Sequence, residues 1–127
     1  MGTGQIKGGS KYYRSIGQNI LITSSKYPYE NGRFGVNSPH TGNKTRNIFS
    51  EDNIATARDF YDKISFGGII KTYEKNIIVT YMADGSIISL RLTSHSDGTP
   101  VVDINITGSS YTGGIKKQKI HFLKEDS

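Results

Sequence analysis

Alternation of apolar and polar residues dominates the second half of the chain. Ile88, Leu90 and Leu92 alternate with Ser89, Arg91 and Thr93. Val102, Ile104 and Ile106 alternate with Asp103 and Asn105, and Ile120 and Phe122 with Lys119 and His121. A period of two belongs to a strand whose faces meet different surroundings. Four strands are therefore predicted: 69–73 running on to 76–82, then 86–92, 101–106 and 118–123. Asp84-Gly85 makes a hairpin turn between the 76–82 and 86–92 segments.

Upstream the period changes. Ile54, Ala57, Tyr61 and Ile64 recur at spacings of three and four with Phe60 beside them, which predicts an amphipathic helix. Ser50 is its expected N-cap, Glu51 and Asp52 place negative charge in its first turn, and Gly67-Gly68 ends it. Ile20–Ile22 is a short apolar patch that fits either a strand or a helical turn. Residues 26–47 read as a long loop, with turn signals at Asn31-Gly32, Ser38-Pro39 and Gly42-Asn43. The expectation is an α+β domain: an N-terminal helical and loop region packed on a four- to five-stranded antiparallel sheet. Residues 1–10 read as a flexible arm and 11–127 as a single domain.

Composition narrows the classes. The 127 residues include no cysteine, which excludes a disulfide scaffold, a Cys-ligated zinc and a thiolate nucleophile. No run of apolar residues is long enough to span a membrane, and no signal peptide is recognisable, so membrane insertion is not expected. The net charge of +5 favours polyanionic partners without demanding them.

If the aliphatic positions of the strands meet the helix, the opposite face displays Arg91, Thr93, Asp103, Asn105, Lys119 and His121 together. Solvation of an ordinary antiparallel sheet explains a polar face equally well, and Arg91 with Asp103 can be a plain cross-strand ion pair. The chemistry gathered there also suits cleavage of a phosphodiester. Arg91 and Lys119 can hold the phosphate, and Thr93, Ser94 and Ser96 can donate to a non-bridging oxygen. His121 can exchange protons near neutral pH. His40 lies in a loop with Lys44 and Arg46 nearby, a second place for a proton-transferring group beside cations. The expected catalytic set is Arg91, His121, His40, Thr93 and Ser94. Lys119, Arg46, Lys44, Ser96 and Asn105 are expected to bind substrate. No cofactor is expected. His95, Asp97 and Asp103 form a conceivable hard-metal set, but without a metal-nuclease spacing. A phosphate-binding Gly-rich loop between a strand and a helix is missing, as are a G-x-S-x-G elbow and a paired-carboxylate glycosidase site.

The stretch "ADGSIISLRLTSHSDGTPVVDINI", preceded by "ATARDFYDKISFGG", resembles the C-terminal toxin domains of bacterial polymorphic toxins, including contact-dependent inhibition and LXG-type proteins. The likeness covers roughly residues 43–106, and Arg91, Thr93, Ser94, Ser96 and Asp103 fall inside it. It implies a barnase/EndoU/colicin/RelE-like ribonuclease whose open sheet face cuts tRNA or other RNA without a metal. It also implies a cognate immunity protein, expected to be acidic, and delivery within a larger secreted or surface-bound toxin that acts in the target's cytoplasm. His40 and His121 rest on the residue chemistry alone. Two other classes fit the same charge. One is a non-catalytic nucleic-acid or partner-binding module, with Tyr12, Tyr13, Tyr27, Tyr29 and Phe34 as stacking platforms; the other is a metal-dependent DNase.

Overall fold

The computed structural model describes residues 14–38, 42–74, 76–93 and 98–125. Among these residues two α-helices, α1 (Ile16–Ser24) and α2 (Asn53–Ile64), lie with nine strands. In chain order these are β1 (Tyr29–Glu30), β2 (Arg33–Phe34), β3 (Val36–Ser38), β4 (Gly42–Ser50), β5 (Ile69–Glu74), β6 (Ile77–Tyr81), β7 (Ile87–Arg91), β8 (Val101–Asn105) and β9 (Lys117–Lys124). β1 and β2 form a small hairpin, and the other seven make one sheet in the order β3-β4-β9-β8-β7-β6-β5. The α+β class is as expected. The four- to five-stranded antiparallel sheet is not, because the sheet has seven strands and β4 pairs with β9 in parallel.

The extra strands come from the segment read as loop. Asn31 and Gly32 both have positive φ, 54° and 84°, and turn β1 into β2 as the Asn-Gly signal predicts. A Cβ at position 32 would lie 2.1 Å from the Thr112 carbonyl oxygen, so glycine is required there on two counts. β4 then runs through residues 42–50 in spite of its Asn, Lys, Thr and Arg content. Its pairing with β9 supplies the hydrogen bonds that its composition alone would not secure. Because β4 lasts to Ser50, the helix cap falls two residues later than predicted: the Asp52 carboxylate accepts a hydrogen bond from the Ala55 amide at 3.1 Å.

Helix α2 buries Ala57, Phe60, Tyr61 and Ile64. Ile54, assigned to the same stripe, is 48% exposed in the first turn, whereas Phe60, expected beside the stripe, is fully buried. The Ile20–Ile22 patch belongs to α1, whose Ile16 and Ile20 join the core while Leu21 and Ile22 face outward. Asn19 ties the helices together, its Nδ2 donating to the Ile64 and Phe66 carbonyls at the end of α2, both at 2.9 Å.

The core lies between these helices and one face of the sheet, where Ile88, Leu90, Val102, Ile104, Ile120 and Phe122 point inward as the period-two pattern requires. Phe60 sits among Tyr27, Phe34 and Phe122 at ring-centroid distances of 5.3, 5.1 and 5.4 Å. Gln118 fastens the β1–β2 hairpin to β9: its Oε1 accepts from the Phe34 amide at 2.9 Å and its Nε2 donates to the Gly32 carbonyl at 2.8 Å. Among the described residues no helix is long and apolar enough to cross a membrane.

Candidate active site on the sheet face opposite the helices

The strand register lays out the other face in rows. Arg91, Val101 and His121 form one row across β7, β8 and β9, extended by Asn47 on β4. Ser89, Asp103 and Lys119 form the next, extended by Thr45. Ile87, Asn105 and Lys117 form a third. Asp103 is the hub of this arrangement. It stands directly opposite Ser89 on one side and Lys119 on the other, and diagonal to Arg91 and His121. Direct neighbours in such a ladder have Cβ atoms roughly 5 Å apart and diagonal ones roughly 7 Å, so Lys119, Arg91 and His121 all lie within electrostatic range of Asp103.

The electrostatics agree with that geometry. Burial pushes the Asp103 carboxyl above its usual range, while Lys119, Arg91 and His121, in that order, pull it back down. Burial wins. Arg91 is half-buried, and its Nε is shielded from solvent with no hydrogen-bond partner among the described residues. Neither Arg91 nor Lys119 closes onto Asp103 as a direct ion pair. The cross-strand ion pair considered from the sequence is therefore absent, because Arg91 faces Val101 across the ladder and Asp103 faces Ser89. A guanidinium desolvated on one edge and held in no direct ion pair with Asp103 is suited to an incoming anion.

His121 departs from the picture of an edge-strand histidine. β9 is the last strand in the chain but lies inside the sheet, between β4 and β8. His121 is only 7% exposed, beside Val101 at 1%, and its Nδ1 is 3.1 Å from the Thr99 hydroxyl. A hydrogen bond there orients the ring; because a hydroxyl both donates and accepts, it serves either tautomer of the imidazole. Asn105 is exposed at the end of β8, and Thr93 is exposed just past the end of β7.

Other expected residues are placed elsewhere. Arg46 lies on the helix side of the sheet, 4% exposed, with Nε donating to the Phe34 carbonyl at 3.0 Å and Nη2 to the Gly35 carbonyl at 2.7 Å. Its Nη1 donates to Asn37 Oδ1. Arg46 thus holds the β2–β3 bend, and the expectation that it binds substrate is corrected: in β4 it has the parity of Ile48, which points to the core. Lys44 is in β4, with its side chain outside the described residues. His40, Ser94, Ser96, His95 and Asp97 also lie outside them. Among the described residues, no group of three or more His, Asp or Glu side chains is close enough to hold a metal ion.

Several contributors escaped the sequence reading. Lys117 carried a signal, since it repeats the parity of Lys119 and His121. Thr45 and Asn47 carried none, because their strand read as a loop and its parallel pairing is a tertiary event. Thr99 reaches His121 across 22 positions of chain.

No family model, curated protein or solved structure matches this chain. The reading of its function therefore stands on the arrangement around Asp103.

Proposed function

We propose that this chain is a bacterial toxin domain acting as a metal-independent endoribonuclease, with Asp103, His121, Arg91 and Lys119 as its working groups. The observation that carries the reading is the convergence of Arg91, Lys119 and His121 on a half-buried carboxylate, on a single face, with the Arg91 Nε left without a partner among the described residues. A carboxylate whose proton affinity is raised by burial is a better base than an exposed one. A phosphodiester seated between Asp103 and His121 would give up its neighbouring 2′-hydroxyl proton to the Asp103 carboxylate. The 2′-oxygen then attacks phosphorus, and the bond to the 5′-oxygen breaks. Protonated His121 donates to that leaving oxygen, so the products are a 2′,3′-cyclic phosphate and a 5′-hydroxyl. Arg91 and Lys119 offset the charge that builds on the pentacoordinate phosphorus.

The same surface, basic in sum, is what an acidic immunity protein would cover, and opposite charge would speed its capture. The deciding experiment incubates the purified chain with total tRNA and with plasmid DNA, each with and without EDTA. RNA cut in EDTA to cyclic-phosphate ends is the expected result. RNA retained on the protein but left whole would make it a binding module, and cleavage of plasmid only without chelator would make it a metal-dependent DNase.

A further inference from the structure

The groove that contains Asp103 does not stop there. It is an open trough of about 280 Å³ lined by Ile87, Ser89, Asp103, Asn105, Lys117 and Lys119. It therefore continues from the Asp103–Lys119 row into the next row along the strands, Ile87–Asn105–Lys117. Lys117 and Lys119 are both exposed on this face of β9, two residues apart. Side chains two apart in a strand are separated by about 6.8 Å. Successive phosphates of an extended single strand have a similar separation.

The third row also has the makings of a base site. Asn105 is exposed, with an amide that can both donate to and accept from a base edge. Ile87 lies half-buried beside it and offers an apolar floor. A base can reach that floor with its flat face, and the amide with its edge, only when it is neither stacked nor paired.

We infer that Lys117, Asn105 and Ile87 form a second nucleotide subsite, next to the scissile phosphate, which makes the substrate a single-stranded RNA of at least three nucleotides. The inference rests on the ribonuclease reading of Asp103 and its neighbours, and it adds the length and strandedness of the substrate. Lys117 supplies the second phosphate contact, Asn105 reads the base edge, and Ile87 supports its face.

The test compares a dinucleotide, which has one phosphate, with a trinucleotide, which has two, as substrates for the parent chain and for Lys117→Ala. Lys117 is exposed, so its removal leaves the fold intact; an unchanged Tm verifies this. The expected result on the trinucleotide is a roughly fivefold rise in KM with kcat held, and a salt dependence weakened by about one counterion. The dinucleotide should be cut equally by both proteins, and a duplex of the same sequence should be cut more slowly than the single strand. Equal behaviour of both proteins on both lengths, or a duplex cut as fast as the single strand, overturns the subsite. If the parent chain cuts no RNA at all, the ribonuclease reading fails instead. Binding of a 2′-deoxy trinucleotide then decides the subsite by itself: a salt slope that Lys117→Ala reduces supports it, and an unchanged slope overturns it.

Discussion

Replacing Arg91 with methionine separates a ligand-binding guanidinium from a structural one, because the two roles move stability in opposite directions. Methionine keeps most of the aliphatic stem that lies in the row with Val101 and Ile77 and removes the charged head. In the folded chain the Arg91 Nε is shielded from water with no acceptor among the described residues, and the head makes no ion pair with Asp103. A buried donor left unsatisfied costs about 1–3 kcal/mol, and the lower end applies to a residue that is only half-buried. Arg91→Met should therefore leave stability unchanged or raise it by about 1 kcal/mol, which is roughly 4 °C in Tm for a domain of this size. Catalysis should suffer far more. Loss of a preorganised donor to the developing negative charge lowers kcat by about 10²- to 10³-fold. Thermal unfolding followed by circular dichroism, together with cleavage of a fluorogenic RNA in EDTA, reads both quantities from one preparation. A variant that melts several degrees lower yet keeps its activity would refute the reasoning, since it would mean that the guanidinium holds the sheet together.

Asp103→Asn should abolish cleavage while stabilising the fold at neutral pH. The folded-state affinity of Asp103 for its proton is raised, so its charged form is penalised at high pH, and the penalty disappears as pH falls through the folded value towards the ordinary 3.8. The Tm advantage of the variant should accordingly shrink on acidification and vanish below that pH; an advantage that grew instead would contradict the assignment. Arg46→Ala should lower stability by about 3 kcal/mol in urea titrations, because the Phe34 and Gly35 carbonyls lose their donor. It should cut RNA normally under conditions where it is folded, and selective loss of activity at unchanged stability would return Arg46 to the site. Gly68→Ala should cost about 1–3 kcal/mol by the same titration, since its Cβ would come within 2.4 Å of Thr80 Cγ2 and 2.6 Å of Met82 Sδ. Unaltered stability would mean that the β5–β6 hairpin shifts away freely.

Much of this molecule was legible residue by residue. The period-two runs around Leu90, Ile104 and Ile120 assigned core and non-core faces correctly, because an amphipathic strand must bury one side whatever lies next to it. The 3.6-residue period located α2 for the same reason, although Ile54 was drawn into the stripe when the first turn in fact faces solvent. Arg91, Asp103, Lys119, Asn105 and His121 share a face because parity alone places them there.

What parity cannot express is which strand lies beside which. β4 is polar and rich in turn-forming residues, and its pairing with β3 on one side and in parallel with β9 on the other makes it a strand; the parallel pairing joins Thr45 to Lys119 and Ser50 to Lys124, beyond the reach of any local pattern. The same event moves His121 from an apparent edge to the sheet interior, sets Asn47 beside it, and turns Arg46 inward to hold the bend after Phe34. Register, likewise a tertiary property, put Val101 opposite Arg91 and left Asp103 opposite Ser89 and Lys119. The amino-acid order by itself determined which side chains could face outward together, since alternation is a local property of the backbone. Their neighbours were decided only by long-range hydrogen bonding between strands, and on those neighbours depend the shielded Arg91 Nε and the half-buried carboxylate of the site.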